Sequence, residues 1–149
     1  MQTFDPRSER NLATLVPAAQ AAARKFMAEA TARMEEYGLA VRIIGGTRTY
    51  AEQNALYAQG RSAPGPVVTN ARGGFSNHNF GIAWDIGLFE GTKYLEESRY
   101  YETCALIGLS QGLDCGAFWK FEDGPHYQLN TGLNTTQLRN RIAKGLPVV

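Results

Sequence analysis

Histidine is almost absent from this chain: His78 and His126 are the only two in 149 residues. Cysteine is as sparse. Cys104 and Cys115 form neither a CxxC pair nor the closely spaced even set of a secreted disulfide framework, and are expected to be reduced and buried. No sign of charge dominates, since 15 Lys+Arg stand against 14 Asp+Glu for a net +1. That balance argues against a polyanion-binding role, so no nucleic-acid partner is expected. No apolar run approaches the roughly 18 residues that span a bilayer, so no membrane insertion is expected. The opening MQTFDPRSERNLATLV lacks a basic segment followed by an apolar one, the mark of a secretory leader. Synthesis in the cytoplasm follows as the expectation. There is no internal repeat, low-complexity stretch or linker. What remains, with 44% hydrophobic and 19% charged residues, reads as one globular domain over 1–149, able to bury a core without staples and expected to be a monomer.

The run PAAQAAARKFMAEATARMEEYG, 17–38, begins with Pro, continues in good helix formers and ends in Gly; it reads as a helix, with Ala21, Met27 and Met34 facing the core. LAVRIIGG is a strand ended by two glycines. Thr49 with Glu52 three residues on is a capping box, opening a helix that stops at Gly60. The Pro- and Gly-rich segment 61–77 reads as an ordered surface loop. In GIAWDIGLF, Ile82, Trp84, Ile86 and Leu88 alternate with Ala83, Asp85 and Gly87, so a strand that packs Trp84 inward presents Asp85 on its other face. SRYYETCALIGLSQG reads as a helix ending at Gly112. PHYQL reads as a strand with His126 and Gln128 on one face and Tyr127 and Leu129 on the other. NTTQLRNRIAKG reads as a last short helix. Helices early and late with strands between them predict an α+β fold in a single domain, a small antiparallel sheet flanked by helices.

The chemistry concentrates around the two histidines. His78 and Asp85 lie seven residues apart, which spans about 23 Å when straight. Ligands of one ion lie within a few ångströms, so a shared site requires a turn, and Gly81 stands where the turn is needed. His126, at the start of another strand, brings a third ligand across the sheet. Two His and one carboxylate leave one coordination position open, the pattern of a catalytic zinc site. Asp123, three residues before His126 across a Gly-Pro turn, is placed as the general base, while its neighbour Glu122 points elsewhere in an extended segment. Spacing alone leaves open that His78 and Asp85 are ordinary polar residues of a loop and a strand. A nucleophilic Ser76–His78–Asp85 arrangement is a further alternative, weakened by the lack of a nucleophile elbow around Ser76.

Ser76, His78, Gly81, Ala83 and Asp85 match S-x-H-x-x-G-x-A-x-D. This is the first zinc motif of the zinc D-alanyl-D-alanine carboxypeptidases, a family that includes vancomycin-resistance dipeptidases and phage L-alanyl-D-glutamate endopeptidases. Asp123 and His126 match its second motif, an acidic residue three before the last ligand. The stretches GGTRTYAEQNALYAQGR, VVTNARGGFSNHNFGIAWDI and WKFEDGPHYQL resemble the phage endolysin branch, with a weaker likeness in FDPRSERNLATL.

The resemblance implies that His78, Asp85 and His126 hold Zn2+. It makes Asp123 the base that activates water and passes the proton to the leaving amine. Arg48 matches an arginine that faces the substrate, and a guanidinium is suited to gripping a carboxylate or a developing oxyanion. Gln53 and Ser76 match positions that line the cleft, and Trp119 is expected as a cleft wall. The implied activity is hydrolysis of peptidoglycan stem peptides, at the L-Ala-D-Glu bond in the endolysin branch, with removal of terminal D-Ala as the alternative. A non-catalytic wall-binding module would have lost the base or a ligand, and neither is missing. No separate wall-binding domain is expected, and the enzyme would reach the wall once another protein opens the membrane. Cys115-Gly116 replaces a common Trp-Gly pair and Tyr127 a commoner Phe, changes that bear on a pocket wall.

Overall fold

A computed structural model describes residues 2–120 and 122–149. The elements run α1 (Pro6–Leu12), α2 (Pro17–Glu35), β1 (Ala40–Gly45), α3 (Tyr50–Ala58), β2 (Ala83–Glu90), β3 (Lys93–Leu95), α4 (Tyr100–Ser110), β4 (Asp114–Cys115), β5 (His126–Gln128) and α5 (Thr135–Ala143). Short 3₁₀ turns occupy Asn77–Phe80 and Gly116–Phe118. All strand pairings are antiparallel: β1 covers one edge of β2, and the other edge pairs first with β5 and then with β3, while β4 lies beyond β5. This is the α+β fold expected, a small antiparallel sheet with flanking helices.

The core forms where α2 and α4 press on one face of the sheet. Ala19, Ala23, Phe26, Met27, Ala30 and Met34 of α2 are fully buried and recur at helical spacing. Ala21 is exposed, contrary to its expected place in the core. It lies two residues from both Ala19 and Ala23, about 200° round the helix from each, so it turns to solvent when they turn inward. Trp84 is fully buried and faces Tyr127 across the β2–β5 pair, their rings stacked 13° from parallel. The burial of this strand is nearly two-sided, because β2 is central and even Ala83 and Gly87 are covered. The clean alternation read from the sequence therefore separates a dry face from one closed by turns and loops rather than by water.

Three elements lay outside the sequence reading. Helix α1 is seven residues long, capped by Asp5, whose carboxylate accepts from the Ser8 backbone N–H. It ties the N-terminal segment to β1: Ser8 Oγ accepts from Ile43 N at 2.8 Å, and Asn11 Nδ2 donates to Ile43 O at 2.8 Å. Strands β3 and β4, three and two residues long, are too short to show a period. No helix among the described residues is long and apolar enough to cross a membrane.

Candidate metal centre

Asp85 sits at the centre of the sheet. It pairs across the strands with His126 on β5, and on its other side with Gly45 at an irregularity of β1. A side chain at position 45 would bring a Cβ to 3.2 Å from Asp85 Oδ2, so glycine keeps that side of the carboxylate open. His78 arrives on the 3₁₀ turn. Ser76 caps this turn, its Oγ accepting from His78 N at 3.2 Å. Asn79 fastens it, donating from Nδ2 to Arg48 O at 3.0 Å, while Arg48 N donates to His78 O at 2.9 Å. Gly81 then ends the turn in the left-handed region, at φ 73°, where a Cβ is disfavoured. This is the reversal that the His78–Asp85 spacing required.

The three side chains meet. His78 Nε2 lies 3.2 Å from His126 Nδ1 and 3.3 Å from Asp85 Oδ2, and His126 Nδ1 lies 3.4 Å from Asp85 Oδ1. Ligands about 2.0–2.1 Å from a tetrahedral zinc ion are separated by about 3.3–3.4 Å. The nitrogens meet that spacing with each other and each with a different Asp85 oxygen, and one ligand atom from each residue lies within 4.8 Å of the other two. The ring protons agree. His78 Nδ1 faces the Gly46 carbonyl at 2.9 Å, which can only accept, and His126 Nε2 faces Gln128 Oε1 at 2.8 Å. With those outer nitrogens carrying the hydrogens, both inner nitrogens turn lone pairs toward each other and toward a carboxylate. Three acceptors converging on one point call for extra protons or a cation, and the donor set of two imidazoles and one carboxylate suits zinc.

Electrostatics agree with the crowding. Burial alone would raise the Asp85 pKa, but added protons on the inner nitrogens of His126 and His78, the alternative to a cation, would hydrogen-bond to the carboxylate, outweigh burial and hold it well below the usual range. Burial alone would lower the His126 pKa, yet the Asp85 and Gln128 acceptors raise it above its ordinary value. Asp123 is raised by desolvation and then by the nearby Asp85 charge, although its side chain is 52% exposed. Asp123 Oδ2 stands 4.0 Å from His126 Nδ1, next to the cluster but outside it. Glu122 turns to a separate hollow on the far side of the 116–125 segment, which it shares with Glu96, Glu97 and Glu102.

The cluster lies in a cleft of about 260 Å³ whose walls include Arg48, Thr69, Phe75, Ser76, Trp119 and Asp123. Arg48 aims Nη2 at Asp85 Oδ2, 3.3 Å away, and donates from Nη1 to Gln53 Oε1 at 2.8 Å. Gln53 is fully buried and is not among the cleft walls; its Nε2 donates to Ala71 O at 2.7 Å. It therefore supports Arg48 and the 69–71 loop from behind instead of facing the cleft as expected. Trp119 does form a wall, with its ring 5.0 Å from that of His126. Ser76 spends its hydroxyl on the His78 backbone, and the His78 ring points to Gly46 and the cluster. Both ring nitrogens of His78 are thus engaged away from the Ser76 hydroxyl, which counts against the nucleophilic-serine alternative. Asn77 and Gln128 were not singled out in the sequence, although the strand reading already put Gln128 on the His126 face.

Comparison with known proteins matches residues 69–129 to a family described as D-alanyl-D-alanine carboxypeptidase, a span that contains Ser76, His78, Asp85, Trp119, Asp123 and His126. The peptidoglycan L-alanyl-D-glutamate endopeptidase CwlK of Bacillus subtilis is 36% identical over 105 residues, and the match spans 62% of this chain and 62% of that protein. The chain thus matches less than two thirds of that relative's length. Among solved structures, the L-Ala D-Glu endopeptidase ChiX of Serratia marcescens superposes with a TM-score of 0.61 at 23% identity, covering 87% of this chain and 90% of that one. The vancomycin-resistance D,D-pentapeptidase VanY in complex with Zn(II) superposes with a TM-score of 0.56 at 14% identity, covering 90% and 81%. At these identities the two superpositions bear on the fold. The sequence matches over the site thus make the chain similar to D-alanyl-D-alanine carboxypeptidases and to an L-alanyl-D-glutamate endopeptidase, and the superpositions show that it shares their fold.

Proposed function

We propose that the chain is a zinc-dependent peptidase of peptidoglycan stem peptides and that it cuts the bond between L-alanine and D-glutamate. The observation that carries this is the convergence of His78 Nε2, the Asp85 carboxylate and His126 Nδ1, with contacts of 3.2–3.4 Å, bordered by an aspartate and an arginine in one cleft. The choice of bond rests on the likeness to CwlK. His78, Asp85 and His126 would hold the ion, which when bound would acidify water and polarise a substrate carbonyl.

The remaining work belongs to the chain's own groups. Asp123 stands beside the cluster with its pKa raised, which makes it a better proton acceptor than an ordinary carboxylate. It takes the proton of the attacking water and returns it to the amine that leaves. Arg48 offers a fixed positive charge on the cleft wall and binds a substrate carboxylate or the oxygen on which negative charge grows. Trp119 covers His126 and limits water on that side. Residues 1–149 act here as one catalytic domain and as a monomer. Action follows release to the wall through a separate membrane-opening protein, as in phage lysis.

Digestion of purified peptidoglycan, followed by mass spectrometry of the new amino termini, tests the reading. Exposed D-glutamate amines that disappear on chelation and return with zinc are expected. Release of D-alanine without any new D-glutamate amine would transfer the activity to the carboxypeptidase reading that the family description favours. Undiminished cleavage after chelation would end the zinc mechanism.

A further inference from the structure

Two inner nitrogens make the metal triangle, and what aims each of them differs. His78 is aimed by the backbone, through the Gly46 carbonyl. His126 is aimed by a side chain, and that side chain is shared. Gln128 Oε1 faces His126 Nε2 at 2.8 Å and also accepts from Asn77 Nδ2 at 2.9 Å. Asn77 and Gln128 are 51 residues apart in sequence, yet Asn77 precedes His78 directly and Gln128 lies two residues after His126 on the same strand face. One carboxamide oxygen therefore clasps the turn that carries one histidine to the strand that carries the other.

We propose that Gln128, held in place by Asn77, is the positioning residue that selects the His126 tautomer and so sets metal affinity. The proposal rests on the zinc reading of the cluster. An imidazole has one hydrogen to place when neutral. Where Nε2 faces an oxygen already oriented to accept, the hydrogen resides on Nε2 and Nδ1 keeps its lone pair for the ion. With that oxygen removed, the hydrogen is free to move to Nδ1, where the Asp85 carboxylate is 3.4 Å away and attracts it. That tautomer closes the site by internal hydrogen bonding. The Asn77 donor matters because a carboxamide flips easily. With Asn77 donating, the oxygen of Gln128 stays toward both donors and its NH₂ stays away from His126. The carboxamide also lies beside the cleft, which Asn77 and Gln128 help to line, so it is accessible to mutation without disturbing the Trp84–Tyr127 core.

Zinc affinity of the full chain, read by competition with a chromophoric chelator, tests this without using activity. Gln128→Leu, which removes the acceptor, should weaken zinc binding by about 10–100-fold, the range for loss of a partner behind a metal-bound imidazole. Gln128→Glu keeps an acceptor oxygen at the same reach and should bind zinc at least as tightly as the wild type. Asn77→Ala should weaken it by less than Gln128→Leu, and adding Asn77→Ala to Gln128→Leu should cost nothing further, since Asn77 acts through Gln128. Cobalt substitution gives a second readout: the Gln128→Leu visible spectrum should shift from that of the wild type, and that of Gln128→Glu should not. If Gln128→Leu proves unfolded by circular dichroism, the Gln128→Glu and Asn77→Ala pair still decides, because a merely structural role would make the two equally harmful. Wild-type affinity and spectrum in both Gln128→Leu and Asn77→Ala would overturn the proposal. A wild-type chain that binds no zinc would overturn the metal reading itself, which is a different outcome.

Discussion

The two walls of the cleft are held in different ways. On one wall, the turn bearing His78 is stitched to Arg48 by two hydrogen bonds, Gln53 ties Arg48 to the 69–71 loop, and α1 is bonded to β1 just before Gly45. Most of these bonds involve the backbone. On the other wall, the segment from 116 to 125 returns to the sheet with Gly116 O accepting from both Trp119 N and Asp123 N, and the Asp123 side chain is half exposed. The proposed ligands thus sit on elements braced by side chains as well as backbone, while the proposed base sits on a connection between β4 and β5 that backbone bonds hold at its ends, His126 N donating to Asp123 O and Ile86 N to Pro125 O. A shared ion tolerates little displacement, since the two imidazoles and the carboxylate must stay within the 3.2–3.4 Å contacts that bring them together. A base that moves a proton first to itself and then to a leaving amine benefits from some freedom to swing.

Substitutions can break this contrast in order of expected size. Replacing a ligand on the braced wall, as in Asp85→Ala, should abolish both stoichiometric zinc uptake and peptidoglycan cleavage, as read by metal analysis and product formation. Asp123→Asn on the other wall should keep zinc bound one to one while the turnover rate falls by about 10²–10⁴-fold. A variant that lost zinc together with activity would place Asp123 in the ligand set instead. Arg48→Ala should lower turnover by about 10²-fold, as for loss of one group aimed at developing negative charge. Gln53→Leu should reproduce part of that loss, with zinc still bound, because Arg48 would lose the acceptor that orients it. If Gln53→Leu left kcat and KM unchanged, the support assigned to that buried carboxamide would be wrong.

The smallest effect lies far from the cleft. Arg24 and Glu9 link α2 to α1 through two hydrogen bonds of 2.9 and 2.7 Å. The Arg24 guanidinium holds the Glu9 pKa below its ordinary value. A depressed acid pKa stabilises the fold above the unfolded value, and that contribution is lost as pH falls through the lower folded value. Glu9→Gln should therefore lower stability by less than about 1 kcal/mol at neutral pH, as for surface ion pairs. Below the folded pKa of Glu9 the difference between variant and wild type should vanish, as measured by denaturant unfolding. Zinc affinity should be untouched at every pH where the fold persists.

How much of this was legible beforehand follows the range of the interactions. The α2 helix, the capping box at Thr49 and the central strand around Trp84 were readable because helix caps and alternation are local patterns. His78, Asp85, Asp123 and His126 stand out because histidine is so scarce, and the family motif adds the roles that spacing alone leaves open. Their convergence depends on the antiparallel register that sets Asp85 opposite His126, and no local pattern encodes that register. Gln53 shows the limit well. The family resemblance puts it at the cleft, yet its helix turns it inward, where burying a carboxamide is tolerated because Arg48, Thr69 and Ala71 satisfy it. Asn77 and Gln128 escaped notice because their bond joins residues 51 apart. Helix α1 and the two shortest strands escaped for want of length, since seven, three and two residues do not establish a period.

Everything proposed for the cleft depends on one zinc ion shared by a loop histidine, a strand aspartate and a strand histidine. Anomalous diffraction at the zinc edge from crystals grown with zinc tests it most directly. The prediction is one strong peak inside the cleft, about 2.0–2.1 Å from His78 Nε2, from an Asp85 carboxylate oxygen and from His126 Nδ1. A peak elsewhere with none between these three atoms, or a zinc ion that reaches only two of them, would contradict it.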